Sequence, residues 1–266
     1  MELGGSLITN KSKPFTERPE TIKRLCQEIH QARQEQKNLE LIVGHGGGSY
    51  PHVPAREFRT AEGVVDNQSV KGIAEVQDAA ARLNRIIVRT LINAGEDAVS
   101  IQPSACCFAK NGRIQEFYTD SLERFLNLGM LPVVFGDVAL DTKKGCCILS
   151  TEVISAYLAE KLGGQKIILC GTTDGVLDKK GEVVLKITPA NYAQVKKHLG
   201  ASDGIDVTGG MLHKVEEVLE LAKSGVVSVI INGNKPGLLR RVLLGERVPG
   251  TEVSADGRGE KVKLYG

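Results

Sequence analysis

Apolar side chains along this chain recur with two different periods. Over residues 70–95, Ile73, Val76, Ala80, Leu83, Ile87 and Leu91 return every three or four positions, the stripe of an amphipathic helix. Residues 20–37 carry a second, charged amphipathic pattern ending near Asn38. Residues 150–163 read as a helix from its ends, with Ser150 as N-cap and Gly163 and Gly164 as the stop. Helices are also expected over 209–224, ending at Gly225, and over 237–245. Between them lie short apolar runs without polar alternation: 39–44, 97–101, 166–170 and 226–232, the last read as the final clear buried strand. Residues 131–141 read as a buried strand followed by a second short one. Residues 114–118 read as an exposed strand after the Asn111-Gly112 turn, and 178–184 as a hairpin turn entering a strand. Non-alternating strands separated by helices belong to a parallel sheet covered on both faces. The expected fold is α/β, an open αβα sandwich with a mainly parallel central sheet. Without repeats or a break in composition, residues 1–266 read as a single domain, with an N-terminal lobe to about 165 and a C-terminal lobe beyond it.

Composition narrows the function classes. The 34 basic and 32 acidic side chains leave a net charge of +2, so nothing calls for a polyanionic partner. There is no Trp, and aromatic residues make up 4%, too few for base-stacking platforms. No apolar run has the length of a membrane span and no leader precedes the first glycines, so a cytoplasmic protein binding neither nucleic acid nor membrane is expected. The six cysteines lack any C-x-x-C spacing and read as reduced, small, buried hydrophobes, with no resident metal site expected.

Small and acidic residues collect where the apolar runs end. Gly4, Gly5 and Ser6 follow the first residues, and "GHGGGS" follows the 39–44 run. "GTTDG" follows 166–170, and "DVTGG" opens a helix. In open α/β sheets ligands bind at the carboxyl ends of strands, and glycine lets backbone N–H groups approach an anion closely. Each cluster alone could serve only a tight turn. Four together suggest more than one phosphate group, a nucleotide triphosphate and a phosphorylated small molecule. None matches the Walker loop or the dinucleotide G-x-G-x-x-G.

The segments "LGGSLITNK", "VGHGGGSYPHVPA", "PVVFGDVALD", "ILSTEVISAYLA", "TDGVLD" and "DVTGGMLHKVEEVLELA" span nearly the whole chain. In their order and spacing they resemble the isopentenyl phosphate kinases of the amino acid kinase superfamily. The resemblance implies transfer of the ATP γ-phosphoryl group to isopentenyl phosphate in isoprenoid biosynthesis, with Mg²⁺ and usually as a homodimer. It assigns Gly46, Gly47, Gly48, Ser49, Gly136 and Ser150 to the phosphorylated substrate, with His52 bonding the same phosphate. Lys11, Lys214 and Glu152 join His52 in catalysis. Gly4, Gly5, Ser6, Asp174, Gly175, Asp206, Thr208, Gly209 and Gly210 face the nucleotide, with Lys214. Phosphoryl transfer between two anions needs positioning and positive charge rather than a protein nucleophile. For His45 packing and support of the site both stay open, for Tyr50 packing and lining of the tail pocket, and for Lys179 a phosphate contact and a turn.

Two positions depart from the pattern. Glu2 stands where a lysine is expected to neutralise phosphate charge, and a carboxylate there would repel a nucleotide. Glu152 stands where related kinases carry Asp, keeping the charge with one more methylene. Two other functions fit the same residues: another kinase of the superfamily, such as a fosfomycin kinase, and a nucleotide or metabolite sensor without turnover. The acceptor's tail separates the first, since an isoprenoid needs a purely apolar pocket, expected within 53–90.

Overall fold

Five parallel strands that end beside a glycine explain where this molecule can bind anything. The structure is a computed structural model describing residues 1–199 and 210–255. Among these residues, strands β1 (Glu2–Leu3), β2 (Val43–His45), β3 (Ala98–Ser100), β4 (Cys107–Lys110), β5 (Arg113–Phe117), β6 (Leu131–Phe135), β7 (Asp137–Asp141), β8 (Gly145–Leu149), β9 (Lys166–Gly171), β10 (Lys186–Ile187), β11 (Val227–Asn232) and β12 (Thr251–Val253) build two sheets. The larger runs β10-β12-β11-β9-β1-β2-β6-β3, and the smaller β5-β4-β7-β8. In the larger sheet the pair β11·β12 is antiparallel and the other pairs are parallel. The order reverses around β1, whose chain continues to β2 on one side while β9 returns on the other. A crevice at the carboxyl ends follows from that reversal.

Helices cover both faces. Pro19–Glu35, Asn67–Ala94 and Leu238–Leu243 pack together on one, burying Leu25, Ile29, Leu83, Ile87 and Leu239 in a common core with Leu3 and Val43. On the other, Thr151–Lys161 packs against Gly210–Lys223. There Val215 and Val218 meet Ile167 and Leu169, and Ile154 and Leu158 meet Val134. The αβα sandwich is therefore as expected. The stripe over 70–95 is a 28-residue helix whose Asp66 N-cap accepts from Ser69 N at 2.9 Å within a capping box. Ser150 caps Thr151–Lys161 as expected, its Oγ accepting from Val153 N.

Several boundaries differ. The run 39–44 pairs only as Val43–His45, because β1 offers just Glu2 and Leu3 as partners, opposite Gly44 and His45. The 178–184 turn closes on an isolated Leu177–Val183 bridge, with Asp178 Oδ1 accepting from Lys180 N and Glu182 N; the strand follows at Lys186–Ile187. In the smaller sheet β5 matches the strand expected at 114–118 and β7 the second short strand of 131–141; β4, β8, the helices His52–Glu57 and Tyr192–Leu199, and β12 beyond the expected last strand had no marker strong enough to read. All six cysteines are free, and five are buried.

Candidate active site

The corners after β1 and β2 back onto each other. A Cβ on Gly46 would lie 2.6 Å from Gly5 N, and one on Gly5 would meet Gly48 N. Gly48 has φ 54°, and a Cβ there would strike Thr9 Oγ1. The glycines thus have a packing reason before any ligand is considered. Gly46 N–H donates to Leu3 O at 2.9 Å, and Ser49 N–H to Thr9 Oγ1 at 3.0 Å. Neither is open to an anion, which corrects their expected part in a phosphate cradle. Gly47 and Gly48 N–H have no hydrogen-bond partner among the described residues.

These corners open on a cleft of about 550 Å³. It gathers Gly5, Ser6, Lys11, the Gly46–Gly48 run and His52 from the N-terminal corners. Gly136, Ser150, Glu152 and Lys214 complete the rim, so most of the expected residues meet around one space. Apolar lining comes from Ala55, Ala61, Val76, Ile148 and Leu149. Val76 comes from the helix Asn67–Ala94, so that helix turns its Val76 face to the cleft. Arg56 and Asp137, which no motif reading picked out, also line it. Asp137 is 2% exposed, its carboxylate accepting from Ser104 N at 3.1 Å and Val138 N at 2.8 Å; burial pushes it up to about 6. Its one sequence signal is its place just after the glycine that ends β6.

Other expected residues fall elsewhere. Ser49 is buried behind the corner, its Oγ donating to Thr16 O and accepting from Thr16 N, so it does not line the cleft. Tyr50 packs: it is 3% exposed, its hydroxyl donates to the Glu17 carboxylate, and Phe15 meets its ring edge-on at 5.7 Å. Gly4 donates its N–H to Cys170 O at 2.8 Å beside the cleft. Asp174 sits past the end of β9, held by Asn232 Nδ2 at 2.7 Å and Lys235 Nζ at 2.9 Å, and Gly175 packs on Thr251. Neither lines the cleft. Lys179 is an exposed turn residue. Asp206, Thr208 and Gly209 lie outside the described residues, while Gly210 begins a described helix.

The sequence profile of the amino acid kinase family matches residues 1–232. This chain belongs to that family. Within it, the chain is 34% identical over 263 residues to the isopentenyl phosphate kinase of Methanocaldococcus jannaschii, covering 95% of this chain and 97% of that protein. It is 33% identical to the isopentenyl phosphate kinase of Methanothermobacter thermautotrophicus, covering 96% and 98%. An X-ray structure of isopentenyl phosphate kinase superposes with a TM-score of 0.80 at 30% identity, over 94% of this chain and 98% of that one.

Lining the cleft, this amino acid kinase carries two carboxylates around one ammonium. Lys214 Nζ lies 2.5 Å from Glu152 Oε1 and 3.3 Å from Glu2 Oε1. Glu2 is 1% exposed, and its Oε2 is buried without a hydrogen-bond partner among the described residues. Burial, then the neighbouring Glu152 charge, pushes the Glu2 carboxyl up to about 7 despite Lys214. Burial would raise Glu152 too, but the Lys214 ammonium outweighs it and holds Glu152 below the usual carboxylate range. Burial opposes charge on Lys214, and the two carboxylates overcome this and hold its ammonium firmly protonated. With both acids ionised the trio carries −1; with Glu2 neutral it carries none. No group of three or more His, Cys, Asp or Glu among the described residues could hold a metal ion.

Proposed function

We propose that this chain phosphorylates isopentenyl phosphate with ATP, forming isopentenyl diphosphate and ADP. The observation that carries the reading is one cleft that offers both groups suited to a phosphate and apolar side chains. Gly47, Gly48, Lys11 and His52 supply the first, and Ala55, Ala61, Val76 and Ile148 the second. A short branched hydrocarbon bearing one phosphate is the ligand such a cleft favours, and the two relatives above carry that name.

The chemistry follows from charge and position. An oxygen of the acceptor phosphate is already the nucleophile, so it attacks the γ-phosphorus in line as the bond to the β-phosphate oxygen breaks. Gly47 and Gly48 N–H, His52 and Lys11 hold the acceptor phosphate. Lys214, kept protonated by Glu152, meets the charge on the transferring group. The nucleotide lies toward Gly5, Ser6 and the β9 corner with Asp174 and Gly175. Thus the acceptor belongs to the N-terminal lobe and the nucleotide largely to the C-terminal lobe. Mg²⁺ would come with ATP and lower the charge of its phosphates. Homodimerisation and a cytoplasmic location complete the proposal.

The test is ADP release by the purified chain with Mg-ATP and isopentenyl phosphate, with fosfomycin as a parallel acceptor and a Glu2→Lys variant alongside. Turnover on isopentenyl phosphate alone is expected, faster in Glu2→Lys. Turnover on fosfomycin alone, or on neither acceptor in both proteins, would sink the assignment. Sedimentation velocity gives the oligomeric state, with one species at twice the chain mass expected.

A further inference from the structure

A buried polar chain behind the glycine corner takes no part in the reaction as described. His45 ends β2, is 1% exposed, and stacks on Phe135 with ring centroids 5.5 Å apart and planes 9° from parallel. Ser100 Oγ donates to Asn84 Oδ1 at 2.6 Å, which leaves the Asn84 amide nitrogen facing His45 Nε2 at 3.2 Å. An amide nitrogen can only donate, so Nε2 accepts. A neutral imidazole then carries its one proton on Nδ1, and burial keeps this ring neutral, with its pKa lowered to about 4. Nδ1 lies 3.2 Å from Gly46 O and donates to it. The His45 carbonyl is held in turn by Thr151 Oγ1 at 2.7 Å and Gly136 N at 3.2 Å.

Gly46 C=O and Gly47 N–H belong to one peptide unit. In a planar trans peptide they point in opposite directions. Anchoring Gly46 O on a buried imidazole therefore aims Gly47 N–H away from that imidazole, and Gly47 lines the cleft. We propose that His45 is a positioning residue: fixed as its Nδ1–H tautomer by Asn84 and Ser100, it orients the Gly46–Gly47 peptide so that Gly47 N–H meets the acceptor phosphate. The inference rests on the cleft's glycine run receiving the acceptor phosphate.

Two substitutions separate positioning from packing. The amide nitrogen of asparagine falls where imidazole Nδ1 stands, and the amide of glutamine reaches the place of Nε2. His45→Asn keeps the donor to Gly46 O and deserts Asn84. His45→Gln keeps a partner for Asn84 and loses the donor. His45→Asn should therefore lower Tm more, while His45→Gln should raise the KM for isopentenyl phosphate more, by roughly three- to tenfold relative to His45→Asn, as loss of one ordinary hydrogen bond would. The KM for ATP should follow neither. Nitrogen-15 NMR of the wild-type imidazole should show the proton on Nδ1. A proton on Nε2, or an acceptor KM that tracks Tm across the two variants, overturns the inference. A wild type that leaves isopentenyl phosphate untouched would count against the acceptor, whereas the tautomer is read without any acceptor, so a proton on Nε2 overturns the positioning role whatever the acceptor is.

Discussion

Glu2 is the residue on which charge in this cleft turns. Its folded-state pKa of about 7 lies above the ordinary 4.5, so the fold disfavours the charged form. Its contribution to stability is fully present below the ordinary value and is lost as pH rises through about 7. Glu2→Gln should melt higher than wild type at pH 8, with the gap closing by about pH 5; a gap independent of pH would rule out this titration. Lys214 answers to the opposite logic. Removing it strands two buried carboxylates, so Lys214→Met should cost about 3 kcal/mol or more and lower kcat by roughly 100-fold or more, read by melting and by ADP release. His52 is exposed on the helix His52–Glu57, so His52→Ala should change stability by less than about 0.5 kcal/mol while weakening use of the acceptor. The positions of Glu2 and Lys214 could be read as phosphate-site positions from "LGGS" and "TGGM". Their contact could not, since they lie 212 positions apart and Lys214 reaches Glu2 only because the helix Gly210–Lys223 packs against Thr151–Lys161 over the sheet.

At the scale of elements, the glycine corners and the long helix do different work. Gly48 takes a left-handed backbone and touches Thr9 from the neighbouring corner. Gly48→Ala should destabilise by more than about 1 kcal/mol and disturb acceptor binding, since it distorts the corner that carries the free N–H groups. Asp66 caps the helix Asn67–Ala94 well outside the cleft lining. Asp66→Ala should cost about 1 kcal/mol with both KM values retained, checked by denaturant unfolding beside kinetics. The helices over 20–37 and 70–95 were legible because each buries one stripe, and that over 150–163 because Ser150 and Gly163–Gly164 mark its ends. Of the smaller sheet, β5 and β7 were legible and β4 and β8 were not. "CFAK" alternates buried and exposed over only four positions and "GCCIL" buries both cysteines in a row, so neither separates a strand from a turn.

Over the whole molecule, the reversal of strand order at β1 sets the carboxyl ends of β1, β2, β6 and β9 along one edge, and the cleft opens there. A ligand that fills it adds binding free energy to folding. Isopentenyl phosphate at about 100 times its Kd should raise stability by about 2.7 kcal/mol, visible as a concentration-dependent Tm; no shift at saturating acceptor would count against this cleft as its site. The sequence by itself determined the layered α/β architecture, since non-alternating apolar runs between amphipathic helices have few other ways to bury themselves. It also determined the chemical character of the site, since the glycine clusters, His52, Lys11 and Lys214 sit in motifs that local pattern preserves. Tertiary structure alone decided which of those groups face the cleft: Gly46 N–H is consumed by Leu3, Ser49 turns back to Thr16, and Tyr50 joins Glu17. It alone joined Glu2, Glu152 and Lys214, and threaded His45 through Asn84 and Ser100. The physical reason is that a hydrogen bond or ion pair depends on the partner's direction and distance, and partners far apart in the chain acquire these only when the sheet closes around them.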